Sequence, residues 1–167
     1  MLPGEEGLTQ AFDDFMIQTE SGQLDAEATS QGLFSYILTK RQRSEIKKVC
    51  NENQWVDPEE KGITLTKDYF EHVLNQRKLK DKVTAKDCST ILASAYSKKS
   101  KVAINKPRFK GDRERDQQAL IFNAEESIRV GNSNGLYGVA IIEISIKNLS
   151  PVTAYHATRP KVTAFGR

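Results

Sequence analysis

Cysteine, histidine, tryptophan and long apolar runs are all scarce in this 167-residue chain. Two cysteines, Cys50 and Cys88, build neither a zinc cluster nor a disulfide framework. Cys88 falls on an apolar helical stripe and reads as a small core residue. Cys50 follows a basic amphipathic stretch, and the spacing leaves a single Cys50–Cys88 bridge open. The two histidines, His72 and His156, form no HExxH or HxH pattern, and there is no DxD cluster. Phosphate-cradling loops of the GxxxxGK[ST] or GxGxxG type are missing, as is a GxSxG elbow. These absences point away from metal and nucleotide-cofactor chemistry, and no cofactor is expected. No apolar run approaches the ~20 residues of a membrane span. The opening MLPGEEGLTQAFDDF lacks the basic start and apolar stretch of a signal peptide, so export by a conventional N-terminal signal is not expected.

What is abundant is charge, unevenly placed. Residues 1–61 carry six Lys/Arg against twelve Asp/Glu, a net of −6, and residues 62–167 carry nineteen against ten, a net of +9. The split divides an acidic, mostly helical N-terminal segment from a basic unit, and a basic unit of this kind suits a polyanionic partner. The plainer reading is a soluble basic domain.

Periodicity outlines the elements. Ala11, Phe12, Phe15 and Met16 make a short helical stripe, TESGQLDAEATSQG reads as linker, and Leu33, Ile37, Ile46 and Val49 predict a helix from Gln31 to Asn53. The segment Asp57–Gly62 reads as a turn into a new unit. Thr66 caps a helix over 67–79, with Phe70, Val73 and Leu74 inward. Thr84 and Asp87 have capping-box spacing for a second helix over 85–96, with Cys88, Ile91, Leu92 and Ala95 on one face. The period then changes to that of strands: 101–105, 118–123, 126–130 and 137–147, with a turn at 131–135. A turn at 149–151 leads to a strand over 152–158, and Arg159-Pro160 to a last short strand over 161–165. Ala140, Ile142 and Ile144 share one face of the longest strand, opposite Val139, Ile141 and Glu143. Two helices followed by four to six strands with short turns describe an α+β fold, with helices covering one face of a twisted antiparallel sheet.

The chemistry on offer is acid–base chemistry. RNA supplies its own nucleophile, the 2′-OH, so a small ribonuclease needs a base for that proton, an acid for the leaving 5′-oxygen, and cations around the phosphate. Histidine suits either proton-transfer role. His72 lies in the first helix of the basic unit, and His156 in a late strand beside Thr153, Tyr155 and Arg159. The plainer readings are that His72 is a surface residue beside an apolar stripe and His156 a core histidine sharing a strand face with Val152 and Ala154. In a regular strand Tyr155 and Thr153 face away from His156, and only a bulge relaxes that alternation. The charged loop 106–116, with Lys106 and Arg108, reads most simply as a solvated excursion.

The segment ITLTKDYFEHVLNQRKL, a second helix, and a sheet closing on VTAYHATRPKVTAF together resemble the barnase/EndoU/colicin/RelE-like ribonuclease superfamily. The likeness is greatest to the toxin tips of contact-dependent growth inhibition and related polymorphic toxins, and it covers roughly residues 62–167. The resemblance implies a metal-independent endoribonuclease acting on tRNA in the cytoplasm of a target bacterium, as a fragment of a larger exported or cell-surface protein. It also implies a cognate immunity protein as partner and, in some members, elongation factor Tu. His72 matches the first-helix histidine of that group, and Thr153, Tyr155, His156, Arg159 and Thr163 match its last-strand residues. On this reading His72 is the general base or acid, with His156 or Tyr155 as its partner and Thr153 alongside. Arg77, Arg159, Lys161, Thr163, Lys106 and Arg108 bind the RNA. Two other functions fit parts of the sequence. One is a non-catalytic RNA- or protein-binding module using the same basic sheet. The other is an ADP-ribosyltransferase, on the echo of Tyr155-His156-Ala157-Thr158.

Overall fold

The computed structural model of the chain describes residues 3–22, 32–105, 118–145 and 148–165. The order is α1 (Pro3–Ser21), β1 (Gly32–Ile37), α2 (Lys40–Glu52), β2 (Gly62–Thr66), α3 (Lys67–Asp81), α4 (Ala85–Ala95), β3 (Lys101–Ile104), β4 (Gln118–Asn123), β5 (Ile128–Val130), β6 (Ser133–Ser145), β7 (Asn148–Thr158) and α5 (Arg159–Phe165). The class is α+β: an antiparallel five-stranded sheet and an antiparallel two-stranded one, with helices. Among the described residues no helix is long and apolar enough to cross a membrane.

The helix starts follow from their caps. The Thr66 hydroxyl accepts from Tyr69 N–H at the head of α3, and Tyr69, Phe70, Val73, Leu74 and Arg77 are buried along it. Thr84 and Asp87 form the full capping box of α4, whose buried face is Ala85, Cys88, Ser89, Ile91, Leu92 and Ala95. The stripe in α1 buries Phe12 and Met16 completely.

The Gln31–Asn53 stretch is not one helix. Its first half is β1, paired with β2, and there Tyr36 and Leu38 are buried while Ser35 and Ile37 are exposed. This period of two was masked by an Ile37 that also fits a helical spacing. Thr39 then caps α2 in a box with Gln42, which forces the helix to begin at Lys40. The Leu149–Pro151 stretch is not a turn but the start of β7. Among the described residues β7 lies at the sheet edge, where a proline removes no ladder bond. The last segment is α5 rather than a strand, because Pro160 sits in its first turn, where a missing N–H costs nothing. The expected linker falls mostly, and the charged loop entirely, outside the described residues.

In the five-stranded sheet, β4 and β5 lie end to end along one side of β6 and β7 runs along the other, with β3 outside β4. Ala140, Ile142 and Ile144 join Phe12, Phe70, Ile91, Leu92 and Tyr96 in one core. The opposite face carries a small cluster of Ile121, Val139 and Ala157, against which Val162 of α5 packs. One irregularity between Ile141 and Ile142 leaves Val152 as the extra residue of β7. The charge boundary near Gly62 is not a packing boundary, because β1 pairs with β2 across it and Phe12, Met16, Tyr36, Ile46 and Cys50 share the main core. Buried Gln42 accepts from the Tyr36 hydroxyl at 2.8 Å and donates to the Ser97 and Ser100 carbonyls at 2.8 and 3.1 Å, fastening α2 to the turn before β3. Cys50 and Cys88 are separate free thiols. Burial pushes them up to about 11 and about 12, respectively.

The tightest contact is between α4 and β6. A Cβ on Gly138 would lie 2.4 Å from the Ile91 carbonyl oxygen and 2.8 Å from Ala95 N. Both are backbone atoms, so neither side yields cheaply. Gly138→Ala is expected to cost about 3 kcal/mol, read as a lower urea midpoint with an unchanged slope. A variant as stable as the parent would show that α4 moves freely over the sheet.

Candidate active site

The candidates separate into three places. Arg77, Tyr155, His156 and Lys161 gather at the free edge of β7, where the C-terminal half of α3 passes. Arg77 lies on the buried face of α3 because it continues the Phe70, Val73, Leu74 stripe by one turn. Its Nη1 donates to Asp81 Oδ2 at 2.7 Å, and the same oxygen is 4.0 Å from His156 Nδ1. The guanidinium carbon is 6.0 Å from the centre of the Tyr155 ring, and Lys161 Nζ of α5 is 5.1 Å from it.

The alternation expected of β7 holds here. His156 is opposite Gly138 and shares its face with Ala154, while Tyr155 is opposite Val139 on the other face. The irregularity at Val152 lies before these residues and does not turn them together. Arg77 reconciles the two, since it touches the tyrosine ring and shares Asp81 with the histidine from beside an edge strand. Two nitrogens in this cluster, Arg77 Nε and His156 Nδ1, are buried and have no hydrogen-bond partner. Orphaned donors and acceptors of this kind are rare in folded proteins and cost about 1–3 kcal/mol each. The His156 side chain is still 23 % exposed, so the group is reachable.

His72 is not brought to this cluster. It is exposed on α3. At ~100° per residue it points ~140° away from Arg77, and it lies ~13 Å of helix rise from Asp81. Thr153 shares the Tyr155 face, and its carbonyl accepts from the Tyr69 hydroxyl at 3.4 Å. Arg159 and Thr163 form a third place. They line a cleft of about 480 Å³ with Lys101 and Tyr137, and Arg159 Nη1 donates to the Tyr137 hydroxyl at 3.0 Å. Lys106 and Arg108 lie outside the described residues.

Asp81 and Asp87 escaped the sequence reading as site residues. Asp81 had a signal, since it stands four residues after Arg77 on a helix. Asp87 was visible only as a cap. Burial opposes its ionisation, but hydrogen bonds from Gly131 and Thr84, with His156 nearby, outweigh that and hold its carboxyl below the usual range. Burial pushes the Tyr155 phenol up, against a smaller opposing pull from Arg77. Tyr155 therefore stays protonated at neutral pH and is a donor, not a base. Among the described residues no group of three or more histidine, cysteine, aspartate or glutamate side chains is placed to hold a metal ion.

Because the folded state depresses the Asp87 carboxyl, its contribution is complete above the ordinary carboxylate pKa and is lost as pH falls through the folded value. Asp87→Ala is expected to lower stability by about 1 kcal/mol at neutral pH, with the gap to the parent closing in acid below about pH 4. A gap that persists undiminished in acid would assign the effect to packing instead. No family model, curated protein or solved structure matches the chain.

Proposed function

We propose that the chain is an endoribonuclease whose reaction uses the 2′-OH of RNA as nucleophile, with tRNA as the substrate class suggested by the toxin resemblance. The observation that carries this reading is the meeting of Arg77, Tyr155 and His156 at one accessible strand edge, with two buried nitrogens left unpaired. In the proposed reaction His156 takes the 2′-OH proton and O2′ bonds to phosphorus. The P–O5′ bond breaks, and the leaving oxygen takes a proton from the Tyr155 phenol. The products are a 2′,3′-cyclic phosphate and a free 5′-OH. Arg77 and Lys161 offset the charge that builds on the phosphate oxygens, and Asp81 holds Arg77 and faces His156. No step requires a metal-activated water. A dedicated inhibitory protein partner belongs to the same proposal and rests on the resemblance alone.

A second reading has one observation in its favour. Arg77 is already ion-paired with Asp81, so the cluster also suits a structural network on a protein that binds RNA without cutting it.

Incubation with total tRNA, followed by gel analysis and end-group mapping, separates the two. The expected result is cleavage leaving cyclic phosphate ends and unaffected by EDTA. It falls about 1,000-fold in His156→Ala and stays near parental in His72→Ala. Intact tRNA in the presence of binding favours the second reading. Full activity in His156→Ala sinks the assignment of the base.

A further inference from the structure

The α4 helix has a second functional end. Between the end of β4 at Asn123 and the start of β5 at Ile128, one side of β6 has no partner strand among the described residues. The backbone there is satisfied in another way: Gly138 N–H donates to Ser94 Oγ at 3.1 Å, and the Gly138 carbonyl accepts from Ala124 N–H at 3.1 Å. Beside that gap lies a cavity of about 250 Å³ between α1, α4 and the β4–β5 link. Leu8, Ala93, Tyr96, Ala124 and Ile128 give it an apolar wall, with Ser94 at the inner end.

The charges at its rim are each paired, Glu125 with Lys101 outside the lining at 3.0 Å and the rest with one another. Lys86 pairs with Asp13 at 2.7 Å and Lys99 with Glu126 at 2.9 Å. A charged ligand would have to break one of these pairs, and a ligand with several polar edges would leave most of them unmatched against the apolar wall. Ser94 and Ser97 both line the cavity, their oxygens accept from Gly138 and Lys99 N–H, and among the described residues neither hydroxyl proton is given to an acceptor; Ser94 is the one turned to the sheet. An apolar cavity of about 150 Å³ accommodates benzene, so this one has room for a bicyclic ring.

We propose that this cavity binds a neutral, flat, largely apolar small molecule of about ten heavy atoms, carrying one hydrogen-bond acceptor that meets the Ser94 hydroxyl. The site is separate from the β7 edge, and its occupancy does not depend on RNA cleavage.

Quinoline is a suitable probe, being bicyclic, neutral at neutral pH and equipped with one ring nitrogen acceptor. Titrated into isotope-labelled protein, it is expected to move the Gly138 amide resonance saturably, with a sub-millimolar dissociation constant. Ala93→Leu fills the cavity and is expected to weaken binding by about tenfold or more. Thr90→Met takes its place if that variant does not give a folded amide spectrum. N-methylquinolinium has the same body with a positive charge instead of the acceptor, and is expected to bind at least about tenfold more weakly. A Gly138 amide that does not move saturably, or quinoline binding unchanged in the filled variants, overturns the site. Equal binding of the cation overturns the ligand class.

Discussion

The absence of a side chain at Gly138 lets the backbone of α4 rest directly on β6. From that contact the helix runs in both directions, to the Gly131 turn at one end and to the cavity beside Ser94 at the other. At its N-terminus Asp87 ties the Gly131 turn to the helix and lies near His156. At its other end Ser94 takes the hydrogen bond that a missing strand would have supplied. Gly138 is itself the cross-strand partner of His156. A helix displaced from this position would lose the Asp87 tie and the Ser94 bond together.

The aromatic core adds a polar fixture. The Tyr69 and Tyr96 hydroxyls meet at 3.0 Å in the interior, and Tyr69 reaches on to the Thr153 carbonyl. Burial raises both phenols well above their ordinary range, so they act as neutral partners at any pH where the fold survives. Phe12 of α1 stacks on Tyr96 with ring centres 5.9 Å apart, which joins the acidic N-terminal helix to that fixture. The described parts of the first sixty residues therefore form a wall of the core that the basic portion shares.

Most of the fold was legible because its strongest signals are local. Thr66 and Thr84 announce the starts of α3 and α4, and alternation along 137–144 announces β6 and the face that goes inward. The failures were also local. At 31–53 a strand of six residues and a helix of thirteen were merged, since Leu33 with Ile37 and Ile46 with Val49 each have a helical spacing. At 161–165 the pattern predicts a short strand, where Pro160 instead stands in the first turn of a helix. The candidate site was legible in its residue types and in the period-two separation of Tyr155 from His156. What no sequence pattern revealed was that α3 would bring Arg77 to the edge of β7 between them. Nor did it reveal that the first-helix histidine would point elsewhere, because that depends on how the helix is rotated against the sheet.

The ion pairs that join α1 to the lysines of α3 and α4, Glu20 with Lys78 and Asp13 with Lys86, are partly exposed and add little to stability. Their consequence lies outside the protein. By folding the acidic stretch onto the basic one, they place opposite charges within a few ångströms of each other. At physiological salt a field decays over about 8 Å, so around these pairs the surface presents mixed charge at short range rather than the uniformly basic face that a net of +9 over residues 62–167 suggests.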